Sequence, residues 1–209
     1  MPLSAPSPRD PIHRRHITCE GFRRADGLVE IDGHITDIRP FPYHGHWDGE
    51  IVDGSPVHEM WLRLVVNQDK LIVDVETAMD HTPFPSCMEV TNHYKRLIGL
   101  TIGPGLGKHV FSAVGGPKGC THVTGLIQTM ATTLLQALAS EATRILPNTE
   151  HLTGDALMQK RMQKVSDVFA DSAAPGYPLL NTCYSHASSS PVVKRLAPEF
   201  HKADTKDKD

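Results

Sequence analysis

Apolar and polar residues alternate with a period of two after Leu28, as they do in a strand with one buried face. A second alternating segment, 57–66, has apolar residues at its even positions apart from His58. The turn-forming segment 67–70 separates it from a third strand over 71–78, so the pattern predicts an antiparallel β-meander. The apolar or small positions of the first strand are Val29, Ile31, Gly33 and Ile35.

The spacing of apolar residues becomes helical after Pro85. Apolar residues that recur three or four positions apart predict a helix over 86–98, with Ser86 as its N-cap. The glycine-rich segment 99–107 predicts a loop, or a strand broken by loops. A short strand is predicted over 110–114, where two valines and a phenylalanine lie close together.

The clearest helical stripe begins after Thr121, the predicted cap, and ends at Pro147. A further helix is predicted over 154–170, and 171–191 is predicted to be a loop. The stripe consists of Val123, Leu126, Ile127, Met130, Leu134, Leu138 and Ile145.

Strands followed by helices predict an α+β fold, in which an antiparallel sheet packs against the C-terminal helices. The sequence contains neither an internal repeat nor a linker long enough to separate domains, so we expect a single domain over 13–198. The proline-rich segment 1–12 is predicted to be an extended arm. The charged segment 199–209 is predicted to be a disordered tail.

The chain of 209 residues carries a formal net charge of -3. This argues against a nucleic-acid or membrane-surface binder, because both need a clustered positive field. The basic clusters 13–16 and 23–24 are predicted to be solvated. Neither a signal peptide nor a bilayer-spanning apolar run is found, so we expect a cytoplasmic protein with reduced thiols. The sequence leaves the oligomeric state open, with a homodimer as one option.

The turn 119–122 is the most favourable place for cysteine chemistry, because glycine there leads into a helix. Unpaired N–H groups and the positive end of the helix dipole favour anions and thiolates. Lys118 adds positive charge. Cys120 is therefore a candidate reactive or site-lining residue. The structural alternative is a buried cysteine, with His122 as a capping or exposed residue.

His58 lies in line with the apolar face of its strand, so both of its ring nitrogens need partners. It is a candidate general base or metal ligand, and a hydrogen-bonded core histidine is the structural alternative. His81, just after the third strand, and Tyr94, in the predicted helix, are weaker candidates.

A zinc site would draw on Cys120, His122 and either His58 or Cys183. These spacings lack the paired pattern of structural zinc sites. A His-x-His pair at 44–46 falls in the segment 40–55, which is predicted to be a loop. We therefore expect no tightly bound metal and no cofactor.

Several short motifs occur in order along the chain. They are Arg24–Leu28, His34–Asp37, Gly54–Met60, Leu97–Leu100 and Gly115–Val123. In order and spacing they resemble the bacterial domain-of-unknown-function family 2889, from His13 to Pro198. In that family the helix after the Cys-Thr-His turn usually carries an acidic residue where this chain has Gly125.

This resemblance implies a role in aromatic-compound catabolism. One branch of the family is similar to γ-formaldehyde lyases that act on lignin-derived phenylcoumaran dimers. The implied activity is a cofactor-independent retro-aldol release of formaldehyde, with an aromatic small molecule as the substrate. Such a step needs a base, assigned to His58, and stabilisation of negative charge, assigned to Lys118 and His122. The expected substrate-binding residues are Cys120, Thr121, Tyr94, Arg63 and His81.

Two other functions stay open. One is a metal-dependent hydrolase that uses His58, Cys120 and His122, and the other is a non-catalytic ligand-binding or assembly protein. For any of these functions, His58 and the Cys120–His122 turn are expected to share one pocket. Cys120 is not expected to act as a nucleophile, because no triad-like base can be identified for it.

Overall fold

The computed structural model describes residues 3–45, 47, 49–52, 54–144, 151–168, 177 and 179–203. The chain divides into two compact units, 1–134 and 135–209. The α+β class is confirmed, because an antiparallel sheet occurs together with helices. The predicted bounds of a single domain, 13–198, stay a prediction.

Six strands are described: β1 Arg14–Arg23, β2 Val29–Ile38, β3 Tyr43–Gly45, β4 Gly49–Ile51, β5 Pro56–Val66 and β6 Ile72–His81. Four of them form one antiparallel sheet in the order β1-β2-β5-β6. The meander predicted over its last three strands is confirmed. The short hairpin of β3 and β4 lies inside the segment predicted as a loop, 40–55.

The two central strands bury alternate residues, as their pattern predicts. Ile31 and Ile35 of β2, and Met60 and Leu62 of β5, are each at most 1% exposed. Burying a side chain of this size stabilises the fold by about 1.5–3 kcal/mol. The inner face of the sheet therefore stabilises the first unit.

Helix α2 is Thr121–Arg144, and its part within the first unit contacts this inner face at Met130. A Cβ atom on Gly33 would lie 2.6 Å from Met130 Sδ, so the glycine lets the helix approach the sheet closely. Thr121 is the first helical residue, and the cap position belongs to Cys120, whose carbonyl accepts the Thr124 N–H at 2.9 Å. The predicted cap, Thr121, is thus one residue too late. The last residue of the predicted stripe, Ile145, and the predicted helix end, Pro147, lie outside the described residues.

The sequence pattern does not predict strand β1. It predicts only that the basic segment at the start of this strand is solvated. Strand β1 is an edge strand in which nine of ten residues are exposed, so it lacks the alternation that marks a half-buried strand. Its backbone pairing with β2 over the full length, from Arg14 opposite Ile38 to Arg23 opposite Val29, holds it in place.

The helix predicted over 86–98 is a run of 3-10 turns, Pro85–Leu97. Its cap is Phe84, which makes no side-chain capping bond, so the prediction of Ser86 as N-cap was wrong. Pro85 starts the helix one residue earlier than predicted, because its ring presets the backbone angle and it has no N–H to satisfy. Tyr94 and Leu97 are its buried residues.

The strand predicted over 110–114 is wrong. Those residues form the second half of helix α1, Leu106–Val114. Leu106, Val110 and Val114 are its buried residues, and their four-residue spacing puts them on one helix face. Five residues rich in valine and phenylalanine are too few to distinguish the two periods.

The second unit contains helices α3, Gly154–Val168, and α4, Pro191–Leu196. The helix predicted over 154–170 is present, with its last two residues outside the described part. A small apolar cluster in this unit is formed by Tyr177, Val193 and Ala197. Residues 204–209 of the predicted tail are also outside the described part.

Within the residues that the structure describes, no helix combines the length and the apolar character that crossing a membrane requires.

Candidate active site around Asp37

Asp37 is a charged residue with no exposed surface. It follows Ile31, Gly33 and Ile35 on the inward face of β2, so the period-two alternation of the strand carries it into the interior. In the β2–β5 register it stands opposite His58. A buried carboxylate is costly unless it is paired and hydrogen-bonded, so its partners decide whether this fold is stable.

Four hydrogen bonds surround the Asp37 carboxylate. Arg15 binds both oxygens, with Nε 2.7 Å from Oδ1 and Nη2 2.7 Å from Oδ2. His13 Nε2 lies 3.1 Å from Oδ1, and His58 Nδ1 lies 3.1 Å from Oδ2. A carboxylate has about four acceptor positions, so these donors fill them.

These contacts set the charge of Asp37. Burial alone would raise the pKa of its carboxyl group, but hydrogen bonds from Arg15 and His13 outweigh burial and lower this pKa to about 2. The carboxylate is therefore ionised at neutral pH and can only accept hydrogen bonds. It follows that His58 Nδ1 carries a proton, which leaves the lone pair of the neutral ring on Nε2.

His122 packs against His58. The two ring centroids are 3.8 Å apart and the planes are tilted by 31°. His122 Nε2 lies 3.8 Å from Asp37 Oδ2. Burial lowers the pKa of both imidazoles, and the pKa of His58 is lowered further by the neighbouring His122. Because the positive charges of two adjacent imidazolium rings repel each other, the arrangement favours a state in which at most one of the two rings is charged.

A buried tyrosine positions the turn that carries His122. Tyr94 Oη accepts the Cys120 N–H at 2.9 Å and lies 2.9 Å from the Cys120 carbonyl oxygen. The same hydroxyl lies 3.0 Å from Thr124 Oγ1. Cys120 Sγ is 3.7 Å from His122 Nδ1 and 3.8 Å from Met60 Sδ. The turn is thereby tied to the 3-10 helix on one side and to β5 on the other.

Comparison with family models supplies one match, to the family described as a protein of unknown function, DUF2889, over residues 13–136. The chain belongs to the DUF2889 family. The matched segment covers more than half of the chain and ends well before Pro198. Among the described residues, all the hydrogen-bond partners of Asp37 lie within it. No curated protein and no solved structure matches the chain.

Two predicted site residues of this DUF2889 chain come together at Asp37. His58 and His122 are in direct contact, and Cys120 lies beside His122. That these residues share one pocket stays a prediction. Tyr94 is fully buried and holds the turn through its hydroxyl group. Thr121, the first residue of α2, is exposed.

The other predicted site residues of the DUF2889 chain are engaged elsewhere. Lys118 Nζ donates to the Ser112 carbonyl oxygen at 2.7 Å. Arg63 binds both oxygens of Asp32, at 2.7 and 2.8 Å, across the outer face of the sheet. His81 Nδ1 lies 3.0 Å from Glu59 Oε2, on the same face as Arg63.

The same cluster also contains side chains that can act as metal ligands. Asp37, His58 and His122 offer ligand atoms that all lie within 4.8 Å of one another. This set includes Asp37, which the predicted hydrolase site of His58, Cys120 and His122 omitted. A divalent cation would have to displace a donor from Asp37 and would lie near the Arg15 guanidinium, so the arrangement favours proton chemistry over metal binding.

Three residues of this DUF2889 site were missed from sequence, namely Asp37, Arg15 and His13. One signal was available for Asp37, since the alternation that places Ile31 and Ile35 inside also places residue 37 inside. Arg15 and His13 gave none, because their half-exposed side chains sit on an edge strand and the segment before it.

Proposed function

We propose that this DUF2889 protein is a cofactor-independent acid–base enzyme in which His58 Nε2 is the general base. The observation that supports this proposal is the 3.1 Å contact between His58 Nδ1 and Oδ2 of the ionised, fully buried Asp37. A carboxylate in that position selects the imidazole tautomer and stabilises the imidazolium that forms when the base takes up a proton.

The electrostatics of the site suit a base that works near neutral pH. Burial lowers the pKa of His58, so the ring is neutral and able to accept a proton under physiological conditions. Once His58 is protonated, the adjacent His122 is disfavoured from charging, and the proton is directed back towards the substrate.

The reaction that we propose is a retro-aldol lyase step on an aromatic substrate with a hydroxymethyl group. His58 removes the hydroxyl proton, the C–C bond breaks, and formaldehyde leaves. The electron pair stays on the aromatic fragment, which then takes the proton back from His58. The first N–H groups of α2, next to Cys120 and His122, are suited to stabilising this transient negative charge.

A formaldehyde-release assay on a phenylcoumaran dimer tests the lyase proposal. We expect His58→Gln to lower kcat/KM by about a hundredfold or more, because glutamine can still donate to Asp37 but cannot act as a base. His16→Gln is the matched control, since His16 is exposed and lies on the outward face of β1. Equal activity of His58→Gln and wild type would refute the assignment.

Two further measurements separate acid–base chemistry from the hydrolase alternative. Nitrogen NMR of the free protein should find His58 neutral at about pH 7 with its proton on Nδ1. Activity should survive exhaustive chelation and should not rise with added zinc. Activity that disappears on chelation and returns with zinc would favour a metal bound by Asp37, His58 and His122.

A further inference from the structure

A second concave site lies at the end of the sheet where β2 and β6 end and β5 begins. It is a cavity of about 310 Å³ next to the β3–β4 hairpin. Its wall includes Arg39 after β2, Val57 of β5 and His81 at the end of β6. The cavity lies at the lower end of the size range of small-molecule pockets, which suits a ligand of one ring or a short chain.

The cavity is separate from the site around Asp37. His81 pairs with Glu59 in the β5–β6 register, and Glu59 faces away from the core. Val57 lines the cavity, whereas neither its neighbour His58 nor Asp37 is among the described residues that line it. A ligand in the cavity would therefore not contact the proposed base.

Arg39 supplies an available positive charge at this cavity. Its guanidinium carbon lies 4.2 Å from the centre of the Tyr43 ring, which holds the planar group in place. Among the residues that the structure describes, no carboxylate lies within ion-pair distance of Arg39. Arg15, Arg24 and Arg63, by contrast, each bind at least one carboxylate.

The rest of the lining adds polar groups above an apolar wall. His44 and His81 line the cavity, and the His81 ring is held by Glu59 at 3.0 Å. Glu59 does not line the cavity, and its other carboxylate oxygen lies 3.4 Å from His34 Nε2. The apolar wall consists of Ile51, Pro56, Val57 and Pro83.

We propose that this cavity binds a small carboxylate with an apolar body. The carboxylate pairs with Arg39 through the planar, two-pronged contact that guanidinium groups favour, and the body lies against the apolar wall. This site is independent of the acid–base function proposed for His58. It assigns a role to Arg39, which the sequence pattern did not single out.

Calorimetric titration with benzoate tests the proposal, with benzamide as a neutral ligand of the same shape. We expect wild type to bind benzoate at least about tenfold more tightly than benzamide, because the charged hydrogen bonds to Arg39 are absent for the amide. Arg39→Gln should weaken benzoate binding by about tenfold or more and leave benzamide binding unchanged.

Arg96→Gln is the matched control, because Arg96 is an exposed arginine outside the cavity and its replacement removes the same charge. It should bind benzoate as wild type does. His58→Gln should also bind normally, which separates this proposal from the catalytic one. Equal weakening in the Arg39 and Arg96 variants, equal affinity of wild type for both ligands, or no benzoate binding at about 20 mM would each overturn the proposal.

Discussion

Replacing Asp37 by asparagine keeps the size of the side chain and removes its charge. The amide has one acceptor oxygen in place of two, and its nitrogen would face Arg15 together with either His13 or His58. Arg15 is about two-fifths exposed and can turn towards water, whereas His58 is largely buried and cannot easily be resolvated. The substitution should therefore destabilise the fold and loosen the orientation of the His58 ring.

The size of the effect follows from the carboxyl pKa, which falls from 3.8 to about 2 in the folded protein. This shift corresponds to roughly 2 kcal/mol of stability. Because the folded pKa is depressed, that stability is fully present above pH 3.8 and is lost as the pH falls towards 2. The asparagine variant has no such group, so its stability should not change with pH for this reason.

Urea unfolding followed by circular dichroism at several pH values measures this difference. At about pH 7 the asparagine variant should be less stable than wild type by roughly 2–3 kcal/mol, and the gap should narrow below about pH 4. Asp32→Asn is the control, because it breaks a partly exposed ion pair with Arg63 and should cost no more than about 1 kcal/mol. A gap that is absent at pH 7, or unchanged down to the lowest measurable pH, would refute the reasoning.

Three further predictions concern the histidines and the turn. The pKa values of His58 and His122 are lowered in the folded protein, so their contribution to stability should be fully present above about pH 6.5. Below that pH the stability should fall, because the imidazoles of the unfolded chain take up protons. In thermal melts, a variant with glutamine at both positions should lose most of this pH dependence of stability between about pH 6.5 and 5. Tyr94→Phe should cost about 1–3 kcal/mol in urea unfolding, since it leaves the part-buried Cys120 N–H without its hydrogen-bond acceptor. A neutral result would show that the hydroxyl does not hold the turn. Gly119→Ala should lower the free energy of unfolding by about 1–3 kcal/mol, because the added Cβ would clash with a carbonyl oxygen of α1. Gly125→Ala is the control and should be neutral or stabilising, because open space surrounds that position. Equal effects of the two substitutions would contradict the structure of the turn.

The elements that were predicted correctly are those whose local pattern reports burial. The alternation in β2 and β5 and the stripe on α2 each mark one apolar face, and the burial of Ile31, Met60 and Met130 follows from it. These segments are long enough for their period to be unambiguous. The antiparallel meander then follows from the short turn between β5 and β6.

The incorrect predictions fall where local pattern and tertiary environment disagree. β1 has no buried face of its own and is defined by pairing with β2, which no pattern within residues 14–23 encodes. The local pattern predicts a strand in place of the second half of helix α1, because Val110 and Val114 favour strands. Packing of the buried face that they share with Leu106 decided the outcome.

The sequence by itself determined which residue types could carry chemistry, and it singled out His58 and the turn that contains His122. Only the tertiary structure decided what those groups do, because both histidines lie next to the buried carboxylate of Asp37. The hydrogen-bond partners of this carboxylate are 21 to 24 positions away along the chain. Whether Asp37 is ionised, and therefore which nitrogen of His58 is free, depends on Arg15 and His13 reaching it across the sheet. A strand pattern can place a carboxylate inside the protein, but the charge it keeps there is set by donors that only the fold brings together.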